Sequence, residues 1–313
     1  MIRKMEFQTV SLDEIARVAG VDGKTNKAFI EDDGFPRLAY RRLNEDERKS
    51  TLEKVLLELD KDLPRSGENK SGRWDKGWGE ILNRVRSGGV SEAALRPQYF
   101  THDIIRIFGD YARVEDSSFE YDFSYVVRTL LFQRYLSDFK SIVEIGCGPG
   151  TNLVLLGQMF PGVTLVGCDW ARPSQELVDI IAQNYGFRLT GKWFNMLTAE
   201  GGSDLPKGVE TAFFTMHSME QLGSNFQPFL NFILKSKPGL CLHVEPIDDL
   251  YDPGIPFDEL AIRYHQKRNY LQGFLEALHK LKEKGHANII DVRRLGFGSL
   301  FHEGYSLVVW RPC

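Results

Sequence analysis

A run of alternating glycines is the part of this sequence best suited to holding a small ligand. Gly146, Gly148 and Gly150 follow directly on the short apolar run at residues 142–145. Glycine has no Cβ, so the backbone can bend sharply there and approach a ligand closely. Asp169 ends a second apolar run about 20 residues later, where a carboxylate can accept hydrogen bonds from ribose hydroxyls. The pattern predicts a site for a nucleotide-like ligand.

Histidines and carboxylates gather in the segments that follow the later predicted strands. The carboxyl ends of parallel strands meet at one edge of a sheet, where ligands bind. Such side chains can take a proton from a reacting hydroxyl. We therefore predict that the catalytic residues are Glu245, His217, Glu220, His265 and His302.

Two other interpretations of this cluster stay open. The histidines and carboxylates could bind a metal ion, but no two of them have metal-ligand spacing on one element, so we predict no metal. The second interpretation is structural. His243, inside a predicted strand, is of the kind that packs in a core, and the basic residues of segment 263–268 can form a solvated face.

Strands and helices alternate from residue 141 to the end of the sequence. This alternation is typical of an α/β fold with a parallel sheet. We predict a doubly wound, mainly parallel, seven-stranded sheet with a C-terminal antiparallel hairpin. A helical segment is inserted at about residues 246–285, with one helix over residues 264–284.

Residues 1–120 are predicted to form an N-terminal helical extension, and residues 121–313 the ligand-binding domain. Ser11, with Glu14 three residues later, is placed to cap one helix, and Asn44 a second. Trp74 and Trp78 open a region that leads to a strongly apolar helix at residues 123–139. This region can be a helical layer on the sheet or a lid over the ligand, and the two are compatible.

The glycine turn fits S-adenosylmethionine better than a nicotinamide dinucleotide. Thr151 stands where the dinucleotide fingerprint has a third glycine or alanine. Instead, Glu144 and the glycines form Glu-x-Gly-x-Gly-x-Gly, which resembles the first motif of class I S-adenosylmethionine-dependent methyltransferases. Over roughly residues 120–313 the resemblance continues, in order, with Asp169-Trp170, Phe194-Asn195-Met196, Thr215–Gln221 and the antiparallel ending.

The resemblance implies S-adenosyl-L-methionine as the cofactor and assigns its contacts. Asp169 would accept hydrogen bonds from both ribose hydroxyls, and Trp170 would contact the adenine ring. Asn195 occupies a position where members of the family often have aspartate. The implied cofactor-binding residues are Glu144, Gly146, Cys147, Gly148, Gly150, Asn152, Asp169, Trp170, Asn195, Met196, Met216 and His217.

Composition narrows the class of partner. The formal net charge is −4, which argues against a large nucleic-acid surface, and no run approaches the length of a membrane span. The N-terminal residues lack the apolar core of a signal peptide, so we predict a cytoplasmic location with reduced cysteines.

These observations predict a methyltransferase that acts on a small polar acceptor, with a sugar-like hydroxyl as the favoured target. The chain also has a faint resemblance to uncharacterised bacterial methyltransferases of polysaccharide gene clusters. Two alternatives stay open: a non-catalytic cofactor-binding regulator or scaffold, and a methyltransferase of a protein or amino-acid side chain. A nicotinamide oxidoreductase is a further rival.

Overall fold

Strands from both ends of the chain form two β-sheets in the computed structural model, which describes residues 6–21, 30, 34–67 and 71–313. The strands are β1 (Gln8–Thr9), β2 (Ala39–Arg42), β3 (Ile104–Ile107), β4 (Asp110–Val114), β5 (Ser141–Ile145), β6 (Thr164–Asp169), β7 (Leu189–Trp193), β8 (Thr211–Met216), β9 (Leu240–Glu245), β10 (Ala287–Arg294), β11 (Phe297–Gly298) and β12 (Ser306–Pro312).

The main sheet has seven strands in the order β10-β12-β9-β8-β5-β6-β7. The five strands from β9 to β7 run parallel to one another, and β12 pairs antiparallel with both β9 and β10. The α/β fold predicted from the alternation is thus confirmed, including its antiparallel ending. Because the order reverses direction at β5, a crevice opens at the carboxyl ends of β5 and β8.

Helices pack on this sheet and form most of the N-terminal region. They are α1 (Leu12–Val18), α2 (Glu45–Asp60), α3 (Ser71–Gly88), α4 (Glu92–Leu95), α5 (Phe119–Tyr135), α6 (Thr151–Met159), α7 (Arg172–Tyr185), α8 (Gln227–Ser236), α9 (Pro256–Arg268) and α10 (Phe274–Glu283). Both predicted caps are present: Ser11 with Glu14 and Asn44 with Glu47 form capping boxes. No helix in the described ranges is long and apolar enough to cross a membrane.

Besides its helices, the N-terminal extension contains strands, which were not predicted from the sequence. It contributes four strands to a small antiparallel sheet in the order β1-β2-β4-β3-β11. Phe108 and Gly109 both have positive φ and join β3 to β4 as a two-residue hairpin. The fifth strand, β11, comes from the C-terminal part of the chain and pairs with β3. Both ends of the chain therefore build this sheet.

The single helix predicted over residues 264–284 is instead two helices, α9 and α10. Asn269 ends α9 in the left-handed conformation, at φ 53°, and Gly273 precedes α10 at φ 74°. Asparagine and glycine tolerate this conformation, so they can end one helix and redirect the chain into the next. The basic and aromatic residues of α9 are therefore oriented independently of α10.

His243 connects three strands of the main sheet through hydrogen bonds. Its Nε2 accepts from Trp310 Nε1 on β12 at 3.0 Å, and its Nδ1 lies 2.8 Å from Thr215 Oγ1 on β8. Burial lowers the pKa of His243 to about 3, so the ring is neutral and donates from Nδ1 to Thr215. This histidine is a core residue with both ring nitrogens paired.

Replacement of His243 by phenylalanine should destabilise the fold while keeping the ring volume. Thr215 and Trp310 would each lose a buried partner, so we expect the free energy of unfolding to fall by about 2–4 kcal/mol. Urea denaturation measures this, with His279→Phe on the exposed face of α10 as the control. Equal stability of the two variants would contradict the assigned role of His243.

Candidate functional site

The glycine turn between β5 and α6 brings backbone N–H groups to the carboxyl edge of the sheet. Gly146 and Gly148 have φ of 80° and 53°, a region that favours glycine. A Cβ at Gly146 would lie 2.2 Å from the Cβ of Ser218, so no other residue fits there without movement. Gly150 is the N-cap residue that precedes α6, and a Cβ there would meet Ile181 at 2.8 Å.

Asp169, at the end of β6, fixes this turn. One carboxylate oxygen accepts from Gly148 N at 2.9 Å, and the other accepts from Ala171 N at 2.8 Å. Burial raises the pKa of Asp169 to about 6, and the backbone hydrogen bonds oppose that shift. Each oxygen keeps a lone pair for a further donor.

Glu144 begins a buried polar chain beneath the turn. Its Oε1 accepts from Asn152 Nδ2 at 2.6 Å, and Asn152 Oδ1 accepts from Arg128 Nη1 at 2.8 Å. Its other oxygen, Oε2, is buried without a hydrogen-bond partner. Burial raises the pKa of Glu144 to about 8. A donor group or a cation on a ligand would supply the partner that Oε2 lacks.

A cavity of about 1010 Å³, counted with the space open to solvent, lies over the glycine turn. All the predicted cofactor-binding residues except Gly150 line it, so the structure brings together side chains from β5, β6, β8 and the loop after β7. Those that do so are Glu144, Gly146, Cys147, Gly148, Asn152, Asp169, Trp170, Asn195, Met196, Met216 and His217.

The N-terminal extension supplies one wall of this cavity. The sequence left open a lid over the ligand in this region, but none of its residues was among the predicted site residues. Trp74 and Trp78 of α3 stack at 5.3 Å, and Trp78 lies close to Gly148. Tyr99 and Phe100, from the loop after α4, line the same cavity. The paired tryptophans were a visible signal, but only the fold shows that they face the glycine turn.

His217 stands directly after β8 in a strained backbone conformation, with φ of 51°. Its N–H donates to Val244 O at 3.1 Å, which holds the residue in place. Burial lowers the pKa of the imidazole to about 4, and Nε2 is buried without a hydrogen-bond partner. Strained residues of this kind are often found at functional sites.

A second cavity adjoins the first, and its volume is about 1230 Å³ when the space open to solvent is included. Glu220 and His302, both predicted as catalytic, line it together with side chains of α9. Burial, and next the charge of Glu245, raise the pKa of Glu220 to about 8. The two cavities have five lining residues in common: Trp74, Tyr99, Phe100, His217 and Gln221.

Glu245 and His265, the other predicted catalytic residues, line neither cavity. Both oxygens of Glu245 accept from Ser218 N, at 3.2 and 3.0 Å, and burial raises its pKa to about 7. His265 Nε2 lies 3.0 Å from Nδ1 of His302. Glu245 is therefore placed to position the loop that carries His217, and His265 to position His302.

Among the residues that the structure describes, no group of three histidine, cysteine, aspartate or glutamate side chains lies close enough together to hold an ion. Burial lowers the pKa values of His217, His265 and His302, so all three imidazoles are neutral.

Comparisons with known proteins support the fold. No protein-family model matches the sequence, and no curated protein sequence does. Among solved structures, the [4+2]-cyclase SpnF matches at TM-score 0.51, with 13% identity over 80% of this chain and 97% of that one. At this identity the match shows the fold alone. With the strand order above, it is the class I methyltransferase fold predicted from the motifs.

Two further structures match at lower TM-scores. Geranyl diphosphate C-methyltransferase from Streptomyces coelicolor A3(2) gives 0.47, with 12% identity over 80% of this chain and 100% of that one. A SAM-dependent methyltransferase from Aquifex aeolicus gives 0.42, with 14% identity over 59% of this chain and 88% of that one.

Replacement of Glu144 by glutamine should alter how stability depends on pH. In the unliganded fold its pKa is raised from 4.5 to about 8, so its stabilising contribution is complete below pH 4.5. That contribution declines as pH rises and is lost above about pH 8, with a limiting slope of about 1.4 kcal/mol per pH unit.

Urea denaturation across this pH range tests the assignment. As pH rises, the unfolding free energy of the wild type should fall relative to that of Glu144→Gln. Glu283→Gln, an exposed control at the end of α10, should leave the pH profile unchanged. A pH-independent difference for Glu144→Gln would show that Glu144 is ionised at neutral pH.

Proposed function

We propose that this chain is an S-adenosylmethionine-dependent methyltransferase that acts on a small polar acceptor. The observation that carries the proposal is the pair of adjoining cavities. One is lined by the glycine turn and Asp169, the other by polar and aromatic side chains, and His217 belongs to both. A cofactor in the first cavity and an acceptor in the second would meet at His217.

The first cavity suits each part of the cofactor. Asp169 keeps lone pairs for the ribose hydroxyls, and the unpartnered Oε2 of Glu144 can pair with the ammonium of the amino-acid part, directly or through water. Trp170 and Met196 offer apolar surface to the adenine ring, and Asn195 offers an amide beside it. S-adenosylmethionine, when bound, supplies a methyl group on an activated sulfonium.

The residues of the chain then orient the acceptor and remove its proton. The neutral imidazole of His217, which borders both cavities, can accept the proton of an acceptor hydroxyl as the oxygen attacks the methyl group. Glu220 and His302, in the second cavity, can bind the rest of the acceptor or pass the proton onwards. Glu245 and His265 act through these residues. The tryptophans of α3 exclude water from the reacting groups.

We propose a hydroxyl on a sugar-like or similar polar ring as the acceptor group. The second cavity combines hydrogen-bonding side chains, such as Ser66, Ser299 and Gln221, with flat aromatic surfaces. Aromatic faces pack against the ring of a sugar as well as against an aryl ring. A panel of sugars, hydroxylated aryl compounds and peptides, assayed with tritium-labelled cofactor, tests the acceptor class.

Replacement of Asp169 by asparagine should weaken the binding of S-adenosylmethionine by about 1–3 kcal/mol, because one charged acceptor for the ribose hydroxyls is lost. Calorimetry measures the affinity, with the exposed Asp138→Asn as a matched control. Unchanged affinity in Asp169→Asn would contradict the placement. Binding of NAD but not of S-adenosylmethionine to the wild type would contradict the proposal as a whole.

Replacement of His217 by glutamine should lower methyl transfer to the acceptor about 100-fold or more while leaving cofactor affinity within about threefold. The reason is that His217 contacts the acceptor side of the site as a base. Single-turnover measurements on the best acceptor of the panel separate the two effects. Equal loss of turnover and cofactor affinity would assign His217 to cofactor binding instead.

The same panel of acceptors distinguishes a methyltransferase from the alternative, a non-catalytic cofactor-binding protein. The fold alone does not decide the reaction, since a structure described as a [4+2]-cyclase shares it. Tight cofactor binding without transfer to any acceptor class would favour this alternative. Transfer to a peptide alone would favour an amino-acid side chain as the acceptor.

A further inference from the structure

Three arginines line the second cavity: Arg65, Arg73 and Arg268. Arg65 and Arg73 are exposed, while Arg268, in the last turn of α9, is half-buried. In the described part of the chain, no carboxylate oxygen lies within the 4.0 Å ion-pair distance of Arg73 or Arg268. These positive charges are therefore available to a ligand.

Arg268 is held in position without an acidic partner. Its guanidinium lies 5.0 Å from the ring centre of Tyr270 and 5.8 Å from that of Tyr264. Its Nε is buried and has no hydrogen-bond partner. The contacts with two rings hold the guanidinium, and its Nε donor stays unsatisfied, so Arg268 can bind an anion.

The two carboxylates that line the cavity form hydrogen bonds with side chains other than these arginines. Glu120 is paired with His102, whose Nδ1 lies 2.9 Å from a carboxylate oxygen, and this contact raises the pKa of His102. Glu220 accepts from Gln221 Nε2 at 2.9 Å; burial raises the pKa of Glu220, and the charges of Arg268 and Arg73 oppose that shift. Three arginines therefore line the cavity with two carboxylates.

Aromatic rings flank the arginines. Tyr264 and Phe301 stack at 5.0 Å with an angle of 10° between their planes, and Tyr99 and Phe100 lie 4.7 Å apart. These pairs border the same cavity as Arg268. A ligand with a ring and an anionic substituent would match both features at once.

We propose that the acceptor carries a carboxylate or phosphate group, which Arg268 binds with the help of Arg73, on a ring that packs against the aromatic side chains. The proposal rests on the proposed function, which places the cofactor in the first cavity. It narrows the acceptor from polar to anionic.

Calorimetry with matched pairs of probes tests this directly. 4-Hydroxybenzoate is compared with 4-hydroxybenzamide, and glucose 6-phosphate with glucose, each with and without saturating S-adenosylhomocysteine. We expect at least one anionic member to bind about tenfold or more tightly than its neutral counterpart, and the preference to decrease as salt is added. The pair with the larger preference distinguishes a carboxylate from a phosphate.

Variants of the arginines test whether Arg268 causes the preference for anionic probes. Arg268→Gln should abolish it, Arg268→Lys should keep part of it, and Arg73→Gln should reduce it. Arg263→Gln is the matched control, because Arg263 lies on the same helix outside the cavity and should leave the preference intact. Unfolding curves of all four variants show whether each is folded.

The outcomes separate the two proposals. Equal affinity within both probe pairs, failure of both anions to bind at millimolar concentration, or an unchanged preference in folded Arg268→Gln overturns the anionic acceptor. Failure of S-adenosylhomocysteine to bind overturns the proposed function, and the measurements without it still decide whether the second cavity prefers anions.

Discussion

Ser218 forms the contact on which the geometry of the site depends. Its Oγ donates to Ile145 O at 2.9 Å, and its N–H donates to the carboxylate of Glu245. One residue thereby joins the ends of β5, β8 and β9. The approach is so close that only glycine fits at position 146. The glycine turn and His217 are fixed relative to each other because both border this serine.

This contact also accounts for the strain at His217. Left-handed backbone at a residue other than glycine or asparagine costs on the order of 1–3 kcal/mol. Hydrogen bonds on either side, from His217 N to Val244 O and from Ser218 N to Glu245, oppose that cost. The result is an imidazole held between the two cavities. Glu245 thus acts on the site through the backbone rather than through its own access to a ligand.

This arrangement buries several carboxyl groups at the carboxyl edge of the sheet, and their desolvation is unfavourable. Glu144, Asp169, Glu220 and Glu245 all have raised pKa values, with desolvation as the largest cause. Uncompensated buried charge is unfavourable, so burial favours the protonated carboxyl groups. A ligand that brings donors or positive charge to Glu144 and Asp169 would supply the compensation that these groups lack.

The sequence predicted the strand–turn–helix unit and its carboxylate because these signals are local. Gly146 and Asp169 are defined by neighbours in the chain, and so are the caps at Ser11 and Asn44. The hairpin at Phe108-Gly109 is also encoded locally, but it was not predicted from the arginine-rich sequence around it. The contacts of Trp78 and Glu245 depend on segments far apart in sequence, which no periodicity reveals. Contacts of that kind decide which side chains reach a ligand.

The non-local part of the site is also the part that can distinguish one acceptor from another. Tyr99 and Arg73 come from the N-terminal extension, and Arg268 from the insertion between β9 and β10, so neither belongs to the repeating strand–helix units. The pairing of β11 with β3 connects these regions to the end of the chain. The sheet and the glycine turn belong to the strand–helix units, whereas charge and shape in the second cavity are set by the N-terminal extension and the insertion. The choice of acceptor therefore has to be argued from Arg268 and its aromatic neighbours rather than from the fold.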